Sequence, residues 1–274
     1  MFHAEQLVGV VEKKHMLSLL KSGKRIDGRQ FDEMRDVEIE LGVIKKADGS
    51  ALVKLGRTTV IAGVKSEIGT PFPDTPDRGV LTVNIELSPM ASPAFESGPP
   101  RKEAIELARV VDRSIRESKA VPLDKTCLVP EKHVWILFID IYAMDHFGNF
   151  FDVSCIAAMA AVLDTRLKKP IIDENDPENI TLTEEKEPVP VEHFPVSLTF
   201  AKIDNYILLD PCLEEERCAE ARFTVTFTEE GKICACQKGA TGTFTREEIY
   251  TMVDIAEQKA PFIIKKLREL RTSN

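Results

Sequence analysis

Residues 134–144, VWILFIDIYAM, are almost wholly apolar. A strand with one wet face alternates apolar and polar residues, so this run reads as a strand covered on both faces. A turn at 145–150 leads into SCIAAMAAVLDT (154–165), which is apolar nearly all round and therefore central. Asp152 or Ser154 is available to cap this helix. Everything else in the chain has to be arranged around the pair.

Leu7, Val10, Val11, Met16, Leu19 and Leu20 recur at roughly helical spacing over residues 5–21, and Gly23 ends that helix. KRIDGR (24–29) is a turn built on Asp27-Gly28. Strands follow: Val37 to Leu41, Leu52 to Leu55, the buried run TTVIAGVK (58–65), and Leu81 to Leu87. The loop IGTPFPDTPDRG (68–79) holds three prolines and two glycines, and SPMASPAFESGPP (88–100) is a second exposed loop. Beyond the central helix, residues 166–195 carry clustered acidic residues and several prolines, and read as a solvated linker with at most a short strand. A second unit begins at Val196. It has strands at 196–200 and 206–209, then a hairpin from RFTVTFT (222–228) and KICACQK (232–238). Thr245 and Glu248 form a capping box before a helix that Pro261 should kink or break. Strands then helix, twice, indicate an α+β protein of two related halves, 1–165 and 196–274, joined by 166–195.

Residues 98–120, GPPRKEAIELARVVDRSIRESKA, form one amphipathic helix with Ala104, Leu107, Ala108, Val111 and Ile115 on its buried face. Arg109, Arg113 and Arg116 fall in one stripe on the other side. Fixed guanidinium forks suit phosphates. Yet Asp112 lies four residues before Arg116 and Glu117 four after Arg113, so the stripe also fits an ordinary salt-bridged surface. The formal net charge of −9 excludes a general nucleic-acid coat, which would be basic. Any such contact is local or shared with a more basic partner. The six cysteines lack metal-ligand spacing and read as buried free thiols in a reducing cytoplasm. No apolar run reaches the length of a membrane span, and no signal peptide is evident. No cofactor or metal is expected.

KRIDGR, GSALVKLGRTTVIAGVK, PDTPDRGVLTVNIELSPMASPAFESGPP, ELARVVDRSIRESKAVPLDK and VWILFIDIYAMDHFGNFFD together resemble the RNase PH superfamily. More narrowly, they are similar to the non-catalytic RNase PH-like subunit of the archaeal exosome ring. The resemblance implies a duplicated α+β unit of the ribosomal protein S5 domain 2-like type. It also implies an alternating hexameric ring with a catalytic RNase PH-like sister, three copies of each, with RNA-binding cap proteins on one face. Active members carry a Gly-Gly-Ser/Thr-Arg loop that binds inorganic phosphate; the matching residues here are Gly148, Asn149, Phe150 and Phe151. Active members also carry Gly-Glu-Ala-Asp in the second half, where this chain has Ala219, Glu220, Ala221 and Arg222. Neither Phe151 nor Arg222 can replace the group lost. The resemblance therefore implies no catalytic residue in this chain. It assigns Arg109 and Arg113, with Arg116 as a third, to contacts with single-stranded RNA in 3′-to-5′ degradation, and leaves open whether the loop from Ile68 to Asp77 also faces the channel. The alternatives are a self-sufficient phosphorolytic exoribonuclease, which Phe151 and Arg222 oppose, and a small-molecule enzyme on the same fold, for which no convergent polar set is visible.

Overall fold

The computed structural model describes residues 10–172 and 180–273. The first sheet comprises β1 (Val37–Leu41), β2 (Gly49–Leu55), β3 (Thr58–Gly69), β4 (Val80–Glu86), β5 (Cys127–Val129) and β6 (His133–Asp145). Its order is β1-β2-β3-β6-β4, with β5 also pairing with β6. Only β4 and β6 run parallel; the other pairs in this sheet are antiparallel. The parallel pair needs a crossover, and α2 (Lys102–Glu117) lies within it. The central helix α3 (Phe150–Asp164) packs across β2, β3 and β6. On its other side lies the second sheet, formed by β9 (Val196–Ile203), β10 (Tyr206–Leu209), β11 (Ala221–Phe227) and β12 (Ile233–Gly239) in the order β10-β9-β11-β12, with the short helix α4 (Leu213–Cys218) between β10 and β11 in the chain. With a sheet on each side and α2 and α5 (Arg246–Ser273) against it, α3 is buried from Phe150 to Leu163. This is why its sequence has no polar face.

The second sheet also departs from simple alternation. Seven of the eight β9 residues are buried, because α3 covers one face and α5 packs against the sheet as well. The face toward α3 is lined with hydroxyls. Ser197 Oγ lies 2.8 Å from Thr226 Oγ1 and Thr199 Oγ1 lies 2.9 Å from Thr224 Oγ1. These four buried hydroxyls thus satisfy one another across the strands.

Several expectations need correcting. Helix α3 starts at Phe150 and its cap is Asn149, in the left-handed region at φ 56°. Neither Asp152 nor Ser154 caps it; both lie in its first turns. Segment 166–195 is no mere linker, because β7 (Arg166–Ile172) and β8 (Ile180–Pro188) pair as an antiparallel ribbon. Residues 173–179 lie outside the described residues, as does the start of the expected helix at 5–9. The described part of that helix is α1 (Val10–Lys21), whose Met16 and Leu20 pack on Ile203, Leu208 and Cys218. Helix α5 runs through Pro261 without a break. The proline is exposed, so water can reach the carbonyl it leaves unpaired, while Ala260, Ile263 and Ile264 stay buried on the other side. The run 134–144 is not covered on both faces. Its residues alternate between buried and half-open, with Tyr142 44% exposed. Finally, Cys236 is exposed rather than buried. The capping box is present, with Glu248 N donating to Thr245 Oγ1 at 3.2 Å and Thr245 N to Glu248 Oε2 at 2.7 Å.

Candidate nucleic-acid interface

Helix α2 buries Ala104, Leu107, Val110, Val111, Ser114 and Ile115, which leaves its arginine stripe along a groove of about 1470 Å³. The groove lies between this helix, the edge strand β4, the outward face of β6 and the loop that precedes α2. Phe72 and Tyr142 are exposed within it.

All three arginines expected to contact RNA line this groove, but they are not equivalent. Arg109 is exposed and has no hydrogen bond or ion pair among the described residues. Arg116 is engaged twice. Its Nη2 donates to Asp112 Oδ1 at 2.6 Å, the i,i+4 pair read from the sequence, and to the Leu81 carbonyl of β4 at 2.7 Å. Asp112 accordingly raises its pKa, with a smaller opposing effect of burial. Arg113 does not form the i,i+4 pair with Glu117. Its Nη2 instead donates to Gln237 Oε1 on β12 at 2.5 Å.

Behind Arg113 lie the two positions that depart from the catalytic pattern. Phe151 is buried at the start of α3 and Arg222 at the start of β11. The Arg222 guanidinium carbon lies 3.8 Å from the centre of the Phe151 ring, and its Nη2 donates to Glu106 on α2. Gly239 provides the space, since a Cβ there would fall 2.2 Å from Arg222 Nη2. The space around the start of α3 is thus packed with an aromatic ring, a guanidinium and its own counter-carboxylate.

Below the loop at 147–149 is a buried polar cluster that sequence reasoning missed. Asn149 Nδ2 donates to Asp152 Oδ2 and to Asp210 Oδ1, each at 2.7 Å. Arg35 donates to both oxygens of Asp210, and Arg29 to one. Arg25 grips Glu215 with two hydrogen bonds, 2.8 and 2.6 Å, in a fully buried pair. The KRIDGR turn is therefore a clamp that ties the start of the chain to the Asp210–Glu216 segment. Burial would raise the Asp210 pKa, yet Arg35 and Arg29 hold it below the usual carboxylate range. Asp152 has no cation paired with it among the described residues, and burial pushes its carboxyl up to about 7. Glu216 is pushed up to about 6 for the same reason. Gly148, at φ 91°, allows the loop to approach this segment, since a Cβ there would fall 2.5 Å from the Cys212 carbonyl carbon. The arginines gave no sign in the sequence of the carboxylates they meet, because those partners lie 175 to 190 positions away.

Among the described residues, no helix is long and apolar enough to cross a membrane. No group of three or more His, Cys, Asp or Glu side chains among them could hold a metal ion.

Comparison with known proteins agrees with this geometry. Residues 33–168 match domain 1 of the 3′ exoribonuclease family, RNase PH, and residues 193–259 match its domain 2. The exosome complex component Rrp42 of Thermococcus gammatolerans is 51% identical, with 98% of each chain covered. That of Methanothermobacter thermautotrophicus is 47% identical over 99% of this chain and 100% of its own. Among solved structures, a chain of the Archaeoglobus fulgidus exosome with RNA bound to the active site superposes with a TM-score of 0.83. It is 44% identical, with 94% of this chain and 97% of that one covered. A chain of an archaeal exosome core gives a TM-score of 0.82 at 39% identity, with 94% and 96% covered. The sheet order, the buried central helix and these matches lead to one conclusion: this chain belongs to the RNase PH 3′ exoribonuclease family.

Proposed function

We propose that this chain is a non-catalytic, RNA-binding subunit of an exosome ring that degrades RNA from the 3′ end. It alternates with a catalytic RNase PH-like partner in a hexamer of three heterodimers, with RNA-binding caps on one face. Similarity to exosome components named Rrp42 over nearly the full length supports this reading. The observation that carries it is the interlocked Phe151, Arg222 and Glu106. An inorganic phosphate entering there would meet a buried aromatic ring and a guanidinium already paired with Glu106, and would lose solvation and face that carboxylate. Arg109, by contrast, keeps its whole fork free on a rigid helix, with Arg113 one turn on and Arg116 beyond.

In this role the chain helps structure its neighbour's active site. It holds the RNA backbone in the partner's cleft while phosphate bound by the partner attacks, so its effect on rate comes through positioning. Phosphate contacts of this kind do not read bases, which suits a degradative machine. In the same reading the chain divides into halves 1–165 and 196–274 with the segment 166–195 between them. The six free thiols fit a reducing cytoplasm.

The test is to express the chain alone, the catalytic partner alone, and both together, and to measure release of nucleoside diphosphates from RNA with and without phosphate. The chain alone is expected to release none, and the pair to form a ring more active than the partner alone. Phosphate-dependent release by the pure chain would restore the self-sufficient reading.

A further inference from the structure

We infer that Gln237 on β12 is a positioning residue for Arg113, itself set by the Glu106–Arg222 pair, so that the second half of the chain aims a phosphate-binding group on the first. The inference rests on the RNA-binding reading of α2.

An exposed arginine carries substantial rotamer entropy, which any contact with a phosphate has to overcome. On α2 that freedom is removed at Arg113 by a residue 124 positions away: Nη2 donates to Gln237 Oε1 at 2.5 Å. The amide is oriented in turn. Its Nε2 faces Glu106 Oε1 at 3.4 Å and the Lys238 carbonyl at 3.3 Å. A flipped amide would set its NH₂ against the Arg113 donors and its oxygen against the Glu106 carboxylate, so the network fixes which end faces which. Glu106 is itself held by Arg222 from β11.

The chemistry of the two ends matters. Asp112 orients Arg116 by neutralising it. Gln237 orients Arg113 with a neutral oxygen, which uses one donor and leaves the positive charge for a phosphate. Arg222 makes this possible. Glu106 lies three residues before Arg109 and seven before Arg113 on the same helix, where an uncompensated carboxylate would compete for the guanidinium groups and repel an RNA backbone. Arg222 thus cancels the charge of Glu106, the carboxylate that faces the Gln237 amide.

The experiment uses the ring assembled with its catalytic partner and single-stranded RNAs of two unrelated sequences, with affinity measured across a range of salt. Gln237→Met keeps the side-chain length and removes all three side-chain hydrogen bonds, of which only the one to Arg113 touches the arginine stripe. It is expected to weaken binding by about threefold to tenfold, the range for loss of one net hydrogen bond, with the salt slope unchanged because no charge is lost. Arg113→Ala should weaken binding and lower the slope by about 0.7. The double variant should bind no more weakly than Arg113→Ala alone, because Gln237 acts only through Arg113. Gln237→Glu, which pairs with Arg113 and neutralises it, should reproduce the slope of Arg113→Ala. Thermal midpoints of the variants separate a folding defect from a binding one. Undiminished affinity in Gln237→Met, or losses that add independently in the double variant, would overturn the positioning role. No change in affinity or slope on Arg113→Ala would instead remove the RNA contact on which it rests.

Discussion

Arg222 stacks its guanidinium on the Phe151 ring at 3.8 Å, joining the two positions at which the resemblance implies a departure from the catalytic pattern. One departure makes sense of the other. A ring at 151 gives the cation at 222 a face to rest on, and Glu106 supplies its counter-charge. Phe151→Leu and Arg222→Met should therefore be coupled. Denaturant unfolding of the two single variants and the double should give an interaction energy of about 1–2 kcal/mol; simple additivity would deny the contact any energetic role.

Restoring an arginine at position 151 should not restore chemistry. Phe151→Arg puts a second buried cation beside Arg222, and is expected to cost roughly 3–5 kcal/mol of stability. No nucleoside diphosphate should appear from the isolated variant in the presence of phosphate, because the carboxylate at 222 is still missing.

The three arginines of α2 should differ in their effect. Arg109→Ala is expected to lower the affinity of the assembled ring for RNAs of differing sequence alike, and to reduce the salt slope by about 0.7. Arg116→Ala should change the slope less, since Asp112 already neutralises that fork. Arg109 is exposed, so its replacement should alter stability by no more than about 0.5 kcal/mol, whereas Arg116→Ala also loses the hydrogen bond to the Leu81 carbonyl and should cost about 1 kcal/mol. Equal slopes for the two variants would contradict this ranking.

The buried Asp152 should imprint a pH dependence on stability. Burial raises its carboxyl from the ordinary 3.8 to about 7. Between those values the native state binds the proton that the unfolded chain releases, so this residue makes stability fall as pH rises from about 4 to about 7. Asp152→Asn keeps acceptors for the Asn149 amide and the Thr199 N–H, and can donate to Thr199 Oγ1, which lies 2.6 Å from Asp152 Oδ1. The variant should gain on the wild type across that window. Asp210 acts in the opposite sense, since Arg35 holds it low against the effect of burial, and its contribution persists in both proteins until strong acid. Thermal midpoints of the two proteins that run parallel from pH 4 to 8 would reject the assignment.

Pro261 is tolerated in α5 at a cost. Pro261→Ala restores a donor to the Glu257 carbonyl on an exposed face and should stabilise the chain by about 1–2 kcal/mol, after allowing for the greater freedom of the unfolded chain. A midpoint in denaturant that does not rise would indicate that the helix has adjusted to the proline.

The sequence by itself determined most of the elements and the centre of the fold, though not the ribbon of β7 and β8. The apolar run of β6 and the all-apolar α3 are local patterns, and local pattern is what periodicity reports. The stripe of Arg109, Arg113 and Arg116 was equally legible, because helical spacing places side chains on a face without reference to the rest of the molecule. Tertiary structure decided which of those arginines is free. Asp112 could be read as a partner for Arg116 because it lies one turn away, whereas Gln237 reaches Arg113 only because β12 packs against α2. The same applies to the clamp of Arg25, Arg29 and Arg35 on Glu215 and Asp210, and to the stacking of Arg222 on Phe151. A charged side chain in a sequence carries no record of its distant partner. Its pKa, its freedom and its availability to a ligand are set by groups that only the folded packing brings within a few ångströms.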